Sequence, residues 1–348
     1  MRIHSPRKDR NLIIVLILSS ILVIASVLIV GTSPKFISPN LEVHPDFFIT
    51  SGHEIAFSAS GGEGYELFTY SLSRSKKKYF HKKLNVFRPF EFDGRIVALQ
   101  DNNGDDTFYP TDNELLRLTD RKPIQKIFSF TNGRLLIFQL KYDDAVYILN
   151  LDLGIKDIVL TAVENLYSVC IYEKNNILVV NYDNKLATID LNSHNKLNEL
   201  VRVSVNMNLN PYVDGSDLYF SSNDTTEFYQ IYKINLNLQN VIPESVHKTD
   251  HDLRLPKSRN GTLFFIEIVN NEYLLRKIHN QQVYNVVSKG IVYDYQFYDD
   301  ENLVFSYSDF KTPKTLFQYN NVQQTFQNLF SNGIIPVRTI FKFEQLIY

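Results

Sequence analysis

The sequence has no tryptophan, one cysteine and almost no net charge, and these shortages exclude several classes of protein. The single Cys170 excludes an intramolecular disulfide, a Cys-rich zinc site and a CxxC redox pair. The 36 Lys and Arg against 38 Asp and Glu leave a net charge of -2, so no global basic field attracts nucleic acid. Hydrophobic residues make up 44% of the 348, which excludes a disordered chain. We therefore expect a folded protein with no nucleic-acid partner.

Charged residues are absent from the 19-residue run 12–30, which is interrupted only by three serines. As a helix this run is about 28 Å long, close to the roughly 30 Å hydrocarbon thickness of a bilayer. Four Lys or Arg and one Asp precede it, which places the N-terminus in the cytoplasm and the remainder outside. The pattern predicts a cytoplasmic segment 1–10, a transmembrane signal-anchor helix 11–31 and a linker 32–43. A cleaved signal peptide and a buried soluble helix are the alternatives.

Short apolar runs recur at nearly constant spacing through the rest of the chain, most of them after Asn-, Asp- or Gly-containing turns. Their first residues are 39 to 45 positions apart: Ile55, Ile96, Leu135, Ile177, Leu218, Leu263 and Leu303. Asn-Gly and Asp-Gly supply the positive φ of two-residue hairpins, so each turn joins a first strand to a second. A third strand follows most runs, as in residues 186–191, 230–236 and 273–278.

Four strands about every 42 residues, repeated seven times, predict the fold class. The chain is expected to be all-β, a seven-bladed β-propeller over residues 44–335 preceded by a single N-terminal transmembrane helix. The regular spacing favours a propeller over an irregular β-sandwich. Residues 336–348 are expected to be a closing strand or a tail.

The repeat unit has a recognisable signature at residues 211–224, PYVDGSDLYFSSND, which is followed by QIYKINL at 230–236. This unit resembles those of TolB-like and prolyl-oligopeptidase N-terminal propellers. The loop DNNGDD at 101–106 and the segment 303–320 are similar to a loop and the final blade of the peptidase propellers. The resemblance covers about residues 44–330. WD40 repeats and the sialidase-type Asp-box both need a tryptophan, which this chain lacks.

In the peptidase family an α/β-hydrolase domain supplies the nucleophile. This sequence contains no G-x-S-x-G motif and only 18 residues follow residue 330, where the resemblance ends, so the resemblance implies a propeller without its enzyme. We expect a membrane-anchored, extracytoplasmic module, periplasmic or at the cell surface, that is not catalytic and binds a protein, peptide or ligand. The alternatives are the propeller subunit of a split serine peptidase, a structural envelope role, and an enzyme with its site at the propeller axis, for which His53, His247 and His251 are candidates.

One loop has the spacing of a calcium site, because oxygen ligands recur at positions 1, 3, 5 and 7: Asp101, Asn103, Asp105 and Thr107. Asp112 takes position 12, where a glutamate is usual. Position 6 is Asp106 rather than glycine, so a solvated loop between two strands is the favoured interpretation and calcium is the alternative. No cofactor is otherwise expected.

Three further groups have plainer interpretations. His247 and His251, with Asp250, would share a metal only on a helix, and they fall in a predicted interblade loop. Cys170 lies in an alternating strand and is expected to be a buried core residue. The lysines at 76–78 are typical of a protected outer edge strand, with contact to anionic lipid or a partner as the alternative.

Overall fold

The computed structural model describes residues 42–60, 64–72, 76–81, 85–109, 122–129, 134–141, 146–150, 155–160, 166–172, 177–182, 185–192, 197–202, 210–223, 226–238 and 242–330. Within them every regular element is a β-strand, which confirms the all-β class. No helix in this described part is long and apolar enough to cross a membrane. The predicted membrane segment 12–30, Asp112 and the segment 336–348 lie outside the described residues, so the transmembrane helix stays a prediction.

The strands follow one another in antiparallel groups. The first two groups are Glu42–Ile49 (β1), Glu54–Ser60 (β2), Tyr65–Ser71 (β3) and Lys76–His81 (β4), then Val86–Phe92 (β5), Arg95–Asn102 (β6) and Asp105–Tyr109 (β7). The next two are Ile124–Ser129 (β8), Leu135–Leu140 (β9), Val146–Asn150 (β10) and Ile155–Leu160 (β11), then Leu166–Tyr172 (β12), Ile177–Tyr182 (β13), Lys185–Asp190 (β14) and Leu197–Arg202 (β15).

The remaining groups have the same plan. The fifth is Tyr212–Asp214 (β16), Asp217–Ser222 (β17), Gln230–Asn235 (β18) and Glu244–His247 (β19). The last two are Asp252–Arg259 (β20), Thr262–Val269 (β21), Glu272–His279 (β22) and Gln282–Asn285 (β23), then Ile291–Phe297 (β24), Asn302–Ser308 (β25), Thr315–Asn320 (β26) and Thr325–Asn328 (β27). Each apolar run identified in the sequence lies in the second strand of its group.

The described strands make five sheets, of four, seven, four, four and eight strands. The seven-stranded sheet joins the second and third groups through a single residue pair, Asp106 with Ile124. The eight-stranded sheet joins the sixth and seventh groups through one parallel pair, Tyr273 with Ile291. All other described pairings are antiparallel and link strands that are neighbours in the chain. Each group is therefore a meander.

Two-residue turns explain why the sequence forms meanders. Between β6 and β7, Asn103 and Gly104 have φ angles of 59° and 91°. Between β20 and β21, Asn260 and Gly261 have φ angles of 51° and 71°. Positive φ at both central residues gives the hairpin turn whose twist matches that of the flanking strands, and Asn-Gly adopts it at little cost.

The first strands of neighbouring groups lie against one another. β1 packs against both β5 and β24, β5 packs against β8, and β16 packs against β12 and β20. The seventh group meets the first, because the Val43 N–H donates a 2.9 Å hydrogen bond to the Lys314 carbonyl. The side-chain amide of Gln296 also bonds to the backbone of Phe47 and Ile49. The first strands therefore line the inside of a ring.

The hydrophobic core lies between facing groups rather than in one central cluster. In the cluster shared by the first three groups, Phe48, Phe90, Phe108 and Phe138 are all buried. The rings of Phe108 and Phe138 meet edge to face, with centroids 6.1 Å apart. Burying such a side chain contributes on the order of 1.5–3 kcal/mol by removing apolar surface from water. Aromatic packing thus fixes each group against the next.

Candidate functional site

β-Bulges near the start of the first strands determine which side chains face the inside of the ring. The register between first and second strands shifts in β1, β5, β8, β12, β20 and β24. A bulge bends its strand and changes the direction of the residue that follows it. In four of these strands that residue is polar: Lys126, Ser168, Lys257 and Asp294.

Four successive first strands, β8, β12, β16 and β20, surround a pocket of about 250 Å³ that we call the axial pocket. Its walls are mainly apolar and aromatic, with Phe128, Tyr167, Val169, Tyr212 and Leu255. The side chains of Ser168 and Lys257 add polar groups to the same wall. A concave, apolar site with few polar groups is the usual form of a ligand-binding site.

Lys257 is held in place by the seventh group. Its ammonium lies 3.2 Å from the Asp294 carboxylate, donates to the Tyr295 carbonyl and is 4.6 Å from the centre of the Tyr295 ring. The Tyr295 hydroxyl donates to the carbonyl of Leu255, a residue of the β20 bulge with a φ of 52°. Burial raises the pKa of Tyr295 well above its ordinary value, so it stays neutral. Asp294 therefore balances the charge of Lys257.

Lys126 has the corresponding position in the third group. Its ammonium donates to the Leu166 carbonyl and lies 5.1 Å from the centre of the Tyr167 ring. Burial lowers the pKa of this ammonium, and no described carboxylate is close enough to oppose that effect. Phe128, two residues later on the same face of β8, lines the axial pocket. Lys126 is thus a half-buried cation beside Tyr167, a residue of the pocket wall.

A second, larger pocket of about 470 Å³ lies at the turns between first and second strands of the first and seventh groups. Its lining is polar and includes His53, Arg259 and Tyr298, with the acidic turn 299–301. Asp299 accepts hydrogen bonds from backbone N–H groups of its own turn, and Arg259 lies 3.0 Å from Asp300. These carboxylates hold the turn together, which makes this pocket the weaker candidate.

The described residues of the candidate calcium site lie at the hairpin between β6 and β7. Asp101 accepts a 2.6 Å hydrogen bond from the turn backbone, and Asp105 lies 2.9 Å from the Lys141 ammonium. Asn103 is a turn residue, and Asp112 is outside the described residues. In the part of the chain that is described, no three His, Cys, Asp or Glu side chains are grouped to hold a metal ion. Calcium binding stays an alternative interpretation of this loop.

The three candidate histidines lie apart from the axial pocket. His247 ends the strand β19, its ring is 5.5 Å from that of Phe265, and burial lowers its pKa. His251 lies 3.5 Å from Glu267, while His53 lines the second pocket. The structure therefore does not bring these side chains together at the inside of the ring.

Two plainer predictions are confirmed. Cys170 is buried in a cluster with Leu218 and Phe220 between the fourth and fifth groups, as expected for a core residue. The lysines at 76–78 lie in β4, the last strand of its sheet. Sequence reasoning missed Lys126 and Lys257, although each is a lysine within a first strand of the repeat.

No family model and no curated protein matches this chain in sequence. Solved structures match it in fold. The β-propeller domain of the trilobed protease from Pyrococcus furiosus has a TM-score of 0.63 and 12% identity, over 85% of this chain and 99% of that one. This fold is a β-propeller. In this fold meanders form the blades, and the first strands are the innermost strands.

Two peptidases contain the same propeller. A puromycin-hydrolyzing peptidase from Mycobacterium tuberculosis has a TM-score of 0.62 at 10% identity, over 86% of this chain and 54% of that one. Prolyl oligopeptidase B from Galerina marginata has a TM-score of 0.58 at 13% identity, over 83% and 50%. This chain thus spans about half the length of these peptidases. The resemblance to the propellers of prolyl-oligopeptidase-type peptidases is confirmed as a likeness of fold, without coverage of a hydrolase domain.

Proposed function

We propose that this chain is a non-catalytic, seven-bladed propeller, anchored in a membrane with its propeller outside the cytoplasm, that binds a ligand or a peptide segment in its axial pocket. The axial pocket is the observation that carries this proposal. Side chains from four innermost strands converge on one concave, largely apolar site with a few polar groups. Sites of that form bury most of a ligand while the polar groups fix its orientation.

The repeat supports the proposed number of seven blades. The described strands fall into seven consecutive meanders, and the apolar runs of their second strands are 39 to 45 residues apart. The sheets that contain two meanders are each joined by a single residue pair. Such isolated pairs are contacts between neighbouring blades, because a continuous sheet would have a full ladder of hydrogen bonds.

The non-catalytic assignment rests on two observations: a motif that the sequence lacks and the surroundings of the Ser168 hydroxyl. The sequence contains no G-x-S-x-G nucleophile motif. The Ser168 hydroxyl has no hydrogen-bond partner among the described residues, whereas a nucleophilic serine needs a base within hydrogen-bond reach. The axial pocket therefore favours binding over covalent catalysis.

The anchor is supported by the apolar run 12–30 and the basic residues before it. Its test uses single cysteines in a Cys170→Ser background. Val322 is 69% exposed, and Val322→Cys should react with a membrane-impermeant maleimide on intact cells, while Ser5→Cys should react only after lysis. Labelling of both positions only after lysis would contradict the topology.

A photo-crosslinking experiment tests the binding site in the full chain in its own membrane. Benzoylphenylalanine replaces Tyr212 in the axial pocket, and in the control it replaces Tyr284, a partly exposed residue of the outer strand β23. We expect a defined adduct at position 212 that is absent at position 284. The absence of any adduct at 212, or the same adduct at both positions, would contradict the proposal.

A split serine peptidase is the second candidate, because two of the matched structures are whole peptidases of which this chain spans about half. In that case the chain would purify from membranes with a hydrolase that reacts with a fluorophosphonate probe. Purification of the full chain under mild detergent, followed by probe labelling, separates the two functions. A stoichiometric labelled partner would favour the peptidase, and its absence after crosslinking would favour the binding module.

A further inference from the structure

The bulges of the innermost strands place two lysines in corresponding positions. One lies between the sixth and seventh blades, and the other lies between the third and fourth. Lys257 follows the bulge of β20, and its ammonium pairs at 3.2 Å with Asp294, which follows the bulge of the next innermost strand, β24. Lys126 follows the bulge of β8 and contacts the next innermost strand, β12, through the Leu166 carbonyl. The residue that follows the β12 bulge is Ser168 rather than an acid.

Among the described residues, the junction of the third and fourth blades has no carboxylate in the position that Asp294 has at the junction of the sixth and seventh. Lys126 has no described carboxylate within ion-pair distance, and burial alone lowers the pKa of its ammonium. The Ser168 hydroxyl is buried and has no hydrogen-bond partner among the described residues. With no counter-charge and no hydroxyl partner in the described part of the chain, the half-buried cation and the buried hydroxyl both lose free energy relative to water. Both losses would be recovered by one anionic oxygen group between them.

We propose that the axial pocket binds the carboxylate of a small organic acid or of a peptide C-terminus, which takes beside Lys126 the place that Asp294 has beside Lys257. This inference rests on the proposed function and adds the chemical class of the ligand. The hydroxyl of Ser168 reaches the carboxylate by a change of its χ1 rotamer. Lys126 supplies the charge-assisted hydrogen bond, which is stronger than a bond between neutral groups.

The other residues of the axial pocket indicate what kind of molecule carries the carboxylate. Phe128, Val169 and Leu255 form an apolar wall, and Tyr167 and Tyr212 present aromatic rings. The volume of about 250 Å³ is below the roughly 300–1,000 Å³ of most ligand pockets, so it suits one terminal residue rather than a folded partner. Asp294 already balances Lys257, which leaves Lys126 to attract a single negative charge. These features favour a carboxylate on an apolar or aromatic body over a cation or a polyanion.

The test measures binding by calorimetry to the full chain in lipid nanodiscs. The probes are N-acetyl-phenylalanine and the peptide N-acetyl-Ala-Ala-Phe, each as the free acid and as the C-terminal amide. We expect the acids to bind about tenfold or more tightly than their amides, because the amide lacks the charge. The tighter of the two acids distinguishes a small metabolite-like acid from a peptide terminus.

Four variants test the residues. Lys126→Gln should weaken acid binding about tenfold or more and remove the preference over the amide. Ser168→Asp should also abolish acid binding, since it supplies the missing carboxylate within the chain, and its melting temperature should equal or exceed that of the wild type. Lys126→Arg should retain the acid preference. Lys185→Gln is the matched control, because Lys185 pairs with Glu199 on the strands β14 and β15, and it should leave binding unchanged.

Equal binding of acids and amides, or full affinity in Lys126→Gln, would overturn the carboxylate assignment. If position 212 still crosslinks to a ligand in that case, the proposed binding function stands and only the ligand class is wrong. If no probe binds and position 212 yields no adduct, both are wrong.

Discussion

Glu91 accepts two hydrogen bonds from Ser51, one of 2.5 Å from the backbone N–H and one of 2.6 Å from the hydroxyl. Ser51 belongs to the first turn of one blade and Glu91 to the innermost strand of the next, 40 residues later. Glu91 is only 5% exposed. Ser258 and Asp214 join the fifth and sixth blades in a similar way, at 2.8 Å. Neighbouring blades are therefore joined by polar contacts about one repeat apart as well as by apolar packing.

The Glu91 contact should contribute measurably to stability. Glu91→Ala removes the acceptor of both bonds, and we expect a loss of about 1.5–3 kcal/mol in the free energy of unfolding, the usual range for hydrogen bonds to a charged group. Ser51→Ala removes only the hydroxyl bond and should cost about 1 kcal/mol. Denaturant titration of the full chain measures both. Equal stability of Glu91→Ala and the wild type would show that the contact contributes nothing.

Gln296 makes one of the contacts that close the ring in the described part of the chain. Its Nε2 donates at 2.6 Å to the Phe47 carbonyl and its Oε1 accepts at 3.3 Å from the Ile49 N–H, which links the last innermost strand to the first. Gln296→Ala leaves the Phe47 carbonyl without this donor, and we expect a loss of about 1–3 kcal/mol.

The matched control for that variant is Gln318→Ala. Gln318 donates at 2.8 Å to Asn302 within the seventh blade, so its removal leaves the junction between first and last blades intact. We expect a smaller fall in thermal midpoint than for Gln296→Ala. The same fall in both variants would mean that the contact at the junction contributes no more to stability than a contact within one blade.

Substitutions at two glycines with positive φ test backbone strain and steric overlap separately. Gly261 has a φ of 71°, and a Cβ added there would have no atom within 4 Å. Gly261→Ala should therefore lower the free energy of unfolding by about 1–2 kcal/mol through backbone strain alone. Gly290 has a φ of 91°, and its Cβ would lie 2.7 Å from the Ser308 carbonyl. Gly290→Ala should therefore cost more, about 3 kcal/mol or above, in denaturant titration. A smaller cost for Gly290→Ala than for Gly261→Ala would contradict the close approach.

The sequence predicts the strands well because the information for them is local. The run at Leu263 becomes Thr262–Val269 and the predicted strand 273–278 becomes Glu272–His279, since alternating apolar residues and two-residue turns act within about ten residues. The same turn chemistry at Asn103 and Gly104 explains the hairpin that carries the calcium candidates Asp101 and Asp105.

The axial pocket could not be predicted in the same way. Lys126, Ser168 and Lys257 each follow a bulge, and a shift of one residue moves a side chain to the other face of its strand. The position of a bulge depends on pairing with the second strand and on packing against neighbouring blades. The pocket also combines strands that are about 40 residues apart, so no short motif contains it.

Cys170 offers a direct measure of how the fourth and fifth blades separate. It is the single cysteine, it is buried, and burial raises the pKa of its thiol, so the folded protein presents almost no reactive thiolate. We expect negligible reaction with an aromatic disulfide reagent at pH 8 and complete reaction in denaturant.

The residual reaction rate of the folded protein reports opening of the cluster that Cys170 forms with Leu218 and Phe220. Leu218→Ala should destabilise that cluster by about 2–5 kcal/mol and increase the labelling rate of Cys170. Leu67→Ala removes an equally buried leucine beside Val86, between the first and second blades. If the blades open locally, Leu67→Ala should lower global stability similarly but accelerate labelling much less. Equal acceleration by both variants, in proportion to their loss of global stability, would instead show that Cys170 is exposed only when the whole propeller unfolds.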